Sequence, residues 1–201
     1  MKERLVPEVV GYRANAAELK DMPYRRLHDM AIVYRFLIES GDDSIATMRI
    51  NNRLMEYMGV SEEELYADAL EYGPKIRPME IMSLADMLKD LTNMSLDMSG
   101  GAPLFVATVE SRVRGAGIIV YEDFCKAAAD VCGGSFYLLP SSIHEVILVP
   151  DTGEWDAEVL LSMVSEINAT LVAENERLTD NVYHYPAQNT PCNRFEAVVS
   201  F

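Results

Sequence analysis

In the stretch LPSSIHEVILVP at residues 139–150, two hydroxyls (Ser141 and Ser142), an imidazole (His144) and a carboxylate (Glu145) fall within five residues. General acid–base chemistry favours histidine because its proton comes off near neutral pH, and a carboxylate nearby can orient the ring. A serine hydroxyl becomes a nucleophile only where an imidazole reaches it, so the one enzyme this pattern suggests is a small hydrolase using His144 with Ser141 or Ser142. The same residue types also collect in turns, where proline stops a β-ladder and serine hydroxyls bond turn amides. Consecutive strand positions face opposite ways, which separates His144 from Glu145. A polar hairpin tip accounts for the whole stretch, with Glu145 facing solvent and no residue assigned to catalysis.

The remaining candidates are scattered. His28 and His184 are the other imidazoles, and nothing in their spacing makes them converge with His144 on a metal. Cys125, Cys132 and Cys192 include no C-x-x-C pair; the first two lie two helical turns apart on an apolar face and read as buried thiols. RVRGAG at 112–117 has the flavour of a phosphate loop, but no G-K-[ST] follows, and the Gly100-Gly101 and Gly133-Gly134 pairs match no nucleotide fingerprint. No metal and no cofactor is indicated. Methionine is abundant, at 12 residues, which suits core filling or an adaptable surface.

Charge narrows the function classes further. Acids number 32 against 17 bases, a net charge of −15, with a pI near 4.5. A field of that sign repels phosphate backbones and anionic membranes, so direct nucleic-acid or membrane binding is not expected. It attracts a basic protein surface, at an on-rate that falls with salt. Between 151 and 180, eight acids (Asp151, Glu154, Asp156, Glu158, Glu166, Glu174, Glu176 and Asp180) face the single base Arg177. Such a run either marks a solvated helix face or imitates a nucleic-acid backbone and occupies a protein that binds one.

These residues must be positioned by a folded chain, and 49% hydrophobic residues over 201 positions suffice for a core. Residues 5–20 read as a short helix entered through Pro7. Residues 29–40 and 44–50 read as a hairpin across the turn signal GDD at 41–43, with a helix over 29–40 as the main rival. Short helices are expected at 51–59, with an Asn51 or Asn52 cap and a Gly59 stop, and at 61–72, with Ser61 and Glu64 in capping-box positions and Gly73-Pro74 as the stop. Another helix opens at Ser83, and 92–103 reads as a loop. Then follow strands at 103–109 and 117–121, a helix at 122–132, the 135–150 hairpin, and a long amphipathic helix capped by Asp156. The fold expected is α+β, an antiparallel or mixed sheet of about six strands with helices packed mainly on one face. Its organisation is an α+β half at 1–100, a ββαββα half at 101–186 sharing one core, and a tail or extra strand at 187–201.

Taken in order, LVPEVVGYRANAAEL, HDMAIVYRFLI, GVSEEELYADAL, LPSSIHEVILVP, MVSEINAT and LTDNVYHY resemble an uncharacterised domain family of unknown function, widespread in gut Gram-positive bacteria and often found near mobile elements. The likeness covers about residues 1–186; the family's usual further N-terminal segment has no counterpart here, and 187–201 matches nothing in it. The resemblance implies no activity. It implies a bacterial, cytoplasmic, phage- or plasmid-linked setting. The N-terminus lacks the long apolar core of a signal peptide, and no apolar run reaches the ~20 residues of a membrane span.

The expectation is a non-enzymatic, acidic, cytoplasmic protein that binds a partner with a basic surface through Asp151, Glu154, Asp156, Glu158, Glu166, Glu174 and Glu176, interfering with a host system. The hydrolase built on His144 is the alternative. A third reading is an oligomerisation module whose terminal RFEAVVSF pairs with a second copy.

Overall fold

The computed structural model describes residues 2–41, 44–92, 103–187 and 196–198. The chain opens with a strand rather than a helix: β1 (Leu5–Gly11) is buried throughout and pairs antiparallel with the long β3 (Met30–Gly41). The helix expected over 5–20 does not form: beyond β1, Ala14, Ala16 and Ala17 sit in turns that lead to a 3-10 segment at Glu18–Asp21. β-branched Val6, Val9 and Val10 favour the pleat, and Pro7 is tolerated because β1 pairs with a strand on one side only.

Strand β2 (Tyr24–Leu27) and strand β4 (Ser44–Arg49) both pair with the far side of β3, β2 against its start and β4 against its end. The β3–β4 pairing is the hairpin expected from sequence; residues 42 and 43 of its GDD turn lie outside the described residues. Helix α1 (Asn52–Met58) takes its N-cap from Asn51 and stops at Gly59 in the left-handed conformation. Helix α2 (Glu62–Ile76) carries the full Ser61–Glu64 capping box. It runs past Gly73-Pro74, where a stop was expected. Gly73 is buried against Pro7 and Tyr121, and the Arg77 N–H still closes the last turn on the Gly73 carbonyl at 2.8 Å. Packing against β1 therefore overrides the local break.

A second antiparallel sheet has the order β10-β9-β7-β8-β6-β5, from strands β5 (Met79–Ser83), β6 (Phe105–Val109), β7 (Phe136–Leu139), β8 (Val146–Pro150), β9 (Tyr183–Tyr185) and β10 (Glu196–Ala197). The fold is α+β, with sheets of four and six strands in place of one sheet of about six. Strand β5 precedes residue 100 yet pairs with β6, so the larger sheet draws on both halves of the chain. Helix α3 (Leu84–Thr92) opens at Ser83, whose hydroxyl accepts from the Asp86 N–H at 3.0 Å; the loop expected at 92–103 lies almost wholly outside the described residues.

The main core joins both sheets through Leu5, Val9, Tyr34, Ile50, Leu65, Val109, Ile118, Phe124, Phe136, Leu148 and Tyr183. Helix α4 (Phe124–Cys132) packs into it, while helix α5 (Ala157–Thr170), capped by Asp156, packs Leu160 and Val164 on Leu139, Val149 and Val182. The larger sheet thus carries helices on both faces rather than mainly on one, because adjacent residues of β7, Leu138 and Leu139, are both apolar and point opposite ways. The strand expected at 117–121 is instead a 3-10 helix, Gly115–Val120. A Cβ on Gly115 would lie 2.6 Å from the His144 carbonyl oxygen, and one on Gly117 2.5 Å from that of Pro7. Close backbone approach replaces ladder pairing here, and only glycine allows it.

Candidate functional site

Between β7 and β8, the segment 140–145 turns inward rather than forming an exposed tip. Ser141 and Ser142 are buried. Ser142 pairs with Arg177 as an isolated antiparallel bridge, the Leu178 N–H donates to the Ser141 carbonyl at 3.1 Å, and the Ile143 N–H donates to the Glu176 carbonyl at 2.9 Å. The Ser142 hydroxyl donates to Glu145 Oε1 at 3.0 Å and accepts from the His144 N–H at 2.9 Å. The imidazole points elsewhere: Nδ1 accepts from the Arg114 N–H at 3.2 Å, and Nε2 lies 3.3 Å from Glu176 Oε1. That pattern assigns the ring proton to Nε2. Among the described residues no hydrogen bond joins the imidazole to either serine hydroxyl: Ser142 pairs with Glu145 while the His144 ring pairs with Arg114 and Glu176, which is not a proton relay.

Arg114 connects this segment to a second cluster. It sits in the left-handed region at φ 53, unusual for a residue with a Cβ, and such conformations concentrate at functional sites. Its guanidinium Nη1 donates to Oε1 of Glu8, which is 1% exposed in the middle of β1. Two further guanidinia converge on the same carboxylate, Arg35 Nη1 at 2.9 Å and Arg49 Nε at 3.0 Å. Strand register explains the convergence. Glu8 faces Val33 and Arg35 faces Val6, which makes Glu8 and Arg35 diagonal neighbours on one face, and Arg49 is directly opposite Arg35. Like charges in register are tolerated because the carboxylate lies beside both.

Burial pushes the Glu8 carboxyl up, but the Arg49 hydrogen bond and the charges of Arg35, Arg49 and Arg114 outweigh it and hold the group below its ordinary value. Arg77 stands behind the cluster, lowered first by burial and then by the charges of Arg35 and Arg114, with Tyr121 and Glu8 opposing. Its guanidinium donates to the Ser111 hydroxyl at 3.0 Å and to the Val113 carbonyl, fixing the backbone that presents Arg114.

In front of the cluster lies a cleft of about 420 Å³ lined by Asn15, Glu18, Arg35, Arg49, Arg114 and Asn175. Its volume falls within the usual range for small-molecule sites. Three positive charges meet the two negative charges of Glu8 and Glu18, the latter bonded to Arg49 Nη1 at 2.9 Å. One positive charge is left over, in a chain of net charge −15. A cleft walled by guanidinia and amides offers donors in excess of acceptors, the complement of an oxyanion.

A profile for a family of unknown function, DUF5688, matches residues 1–187. The chain belongs to this family. No curated protein and no solved structure matches it. DUF5688 membership assigns no chemistry, so the reading of this site rests on its geometry.

The acids singled out in the sequence are divided by the structure. Asp151 accepts from the Gly153 N–H and pairs with His184 Nε2 at 2.9 Å, Asp156 caps α5, and Glu176 pairs with His144. Glu154, Glu158, Glu166 and Glu174 are exposed. The three imidazoles have different partners, His28 packing on the Tyr183 ring, and among the described residues no group of three or more His, Cys, Asp or Glu side chains is arranged to hold a metal. Cys125 is buried and Cys132 half-buried, its thiol pushed up by burial to about 11. No helix of the described residues is long and apolar enough to cross a membrane.

Sequence reasoning missed Glu8, Arg35 and Arg49. Each is a single charge inside an apolar strand, in LVPEVVG, AIVYRFLI and SIATMRI, and a lone buried charge requires a partner. Reading the three together was the available signal.

Proposed function

We propose that this protein is a non-enzymatic binding protein whose arginine-lined cleft holds a small anionic ligand. The observation that carries the proposal is the uncancelled positive charge of Arg35, Arg49 and Arg114 around buried Glu8, in a strongly acidic chain. The imidazole of His144 is bonded to Arg114 and Glu176, away from Ser141 and Ser142, which favours binding over hydrolysis. Sulfate titrated into the protein, followed by calorimetry and thermal melting, tests this reading. Binding and a rise in melting temperature that are both lost in Arg114→Met support it; no binding up to tens of millimolar sinks it.

A second reading adds a protein partner. Exposed Glu154 and Glu174 flank α5 in the chain and exposed Glu158 and Glu166 lie on it, while Arg177, the single base in 151–180, donates to the Val172 carbonyl at 3.0 Å. We infer that this face docks the basic surface of a host protein in the cytoplasm, in keeping with the net charge. Capture of a defined basic protein that weakens with salt, and fails for the variant with all four residues changed to Gln, supports docking. Capture that is indifferent to these changes counts against it.

A further inference from the structure

Resting on the cleft reading above, we infer that Glu18 is a built-in competitor seated where the ligand's charge belongs, and that the ligand group is a compact oxyanion carrying two negative charges. Glu18 differs from Glu8 in every respect that decides mobility. Its side chain is 60% exposed against 2% for Glu8, and among the described residues its one ionic partner is Arg49 Nη1. The neighbouring residue Leu19 is buried, and Asn15 Nδ2 donates to the Gly11 carbonyl at 2.8 Å, so the turn is anchored while the Glu18 side chain is free to swing away.

The charge count specifies the replacement. Glu8 is fixed in place and leaves two of the three guanidinium charges uncompensated; Glu18 cancels one of these. Exchanging Glu18 for a dianion cancels both, whereas exchanging it for a monoanion gains nothing in charge. The donors fit the same group. Displacement frees Arg49 Nη1, Arg114 has guanidinium N–H groups beyond the Nη1 bond to Glu8, and Asn175 lines the same space. Planar guanidinium forks match tetrahedral and carboxylate oxyanions in two-point contacts. A phosphate monoester group, free sulfate or phosphate, and a small dicarboxylate share this chemistry, and the cleft volume leaves room for the remainder of a small phosphorylated molecule.

The deciding experiment titrates sulfate, glycerol phosphate and acetate into the full chain and into Glu18→Gln, Arg114→Met and Asn175→Asp. Asn175→Asp guards against misfolding of the Arg114 variant, because Asn175 is exposed and outside the Glu8 network. Expected are sulfate and glycerol phosphate both ahead of acetate, and tightening of sulfate by about fivefold in Glu18→Gln, the upper end of what a partly exposed ion pair is worth. Asn175→Asp should weaken sulfate by a similar factor. Glycerol phosphate ahead of sulfate assigns a phosphorylated small molecule, and the reverse a free ion; both carry the proposal. Unchanged or weaker sulfate binding in Glu18→Gln, with binding still dependent on Arg114, overturns the role of Glu18 and leaves the cleft reading standing. Sulfate binding indifferent to both Arg114→Met and Asn175→Asp overturns the two together.

Discussion

The Glu8 cluster and the Ser142–His144 segment share Arg114, which gives its N–H to the imidazole and its guanidinium to Glu8, yet they are built in opposite ways. The segment takes its serines, histidine and Glu145 from five consecutive residues. The cluster gathers one carboxylate and three guanidinia from partners 27, 41 and 106 residues apart. Proximity in sequence produced one side-chain pair, Ser142 with Glu145, and an imidazole whose partners, Arg114 and Glu176, come from elsewhere in the chain. Long-range convergence produced a charged site that only the fold could assemble. Residue types near one another in a chain are thus a weaker sign of chemistry than charges placed, one by one, where burial makes them costly.

Breaking the cluster at its centre should have the largest effect. Glu8→Gln leaves three guanidinia around a group that no longer neutralises them, and removing one partner of a buried ionic set costs about 3–5 kcal/mol. Denaturant unfolding checks this, and a loss under about 1 kcal/mol would mean that water already compensates the arginines. The same carboxyl sets a pH dependence. Its folded pKa lies below its unfolded value, so its stabilisation is complete above the ordinary carboxylate range and is lost as pH falls through the lower, folded value. The gap in stability between the native chain and Glu8→Gln should therefore narrow on acidification below about pH 4, and a gap that widens there would reverse the assignment.

Gly115→Ala strikes both regions at once. A Cβ there would lie 2.6 Å from the His144 carbonyl and closer to the Thr108 hydroxyl, contacts made by backbone and a buried side chain that cannot swing aside. Overpacking of this kind costs about 1–3 kcal/mol. Because Gly115 follows Arg114, the substitution should also weaken sulfate binding. Full stability with binding intact would show the 3-10 segment to be more compliant than its contacts indicate.

Local signals were legible because they are local. The Ser61–Glu64 capping box, the Asn51 cap, the Gly59 stop and the Asp156 cap all stand where sequence put them, each made by residues within a few positions. The misreadings at 5–20 and 117–121 share one cause. Tertiary contacts override local preference in both: Leu5–Gly11 pairs along its whole length with β3, and Gly115 and Gly117 press against the His144 and Pro7 carbonyls. The cluster was hidden for the same reason, compounded by charge. In bulk the chain reads as acidic, and a small positive site is invisible in a net charge of −15.

Ser142→Ala comes next in size, since it removes one donor and one acceptor in a buried segment, and should cost about 1–2 kcal/mol. The smallest effect is expected for His144→Ala. Its ring is part-exposed and accepts a single backbone bond, with Glu176 as a half-buried second partner, so the loss should be about 0.5–1 kcal/mol. Sulfate affinity should change less than about twofold, because the Glu8 bond holds the Arg114 guanidinium independently of the imidazole. This result separates the two regions: a shared residue, but no shared function. A tenfold fall in sulfate binding would instead make His144 a positioning residue for Arg114 and join the two into one site, and rescue by His144→Gln, which can restore a side-chain acceptor, would confirm that the Arg114 N–H bond is the link.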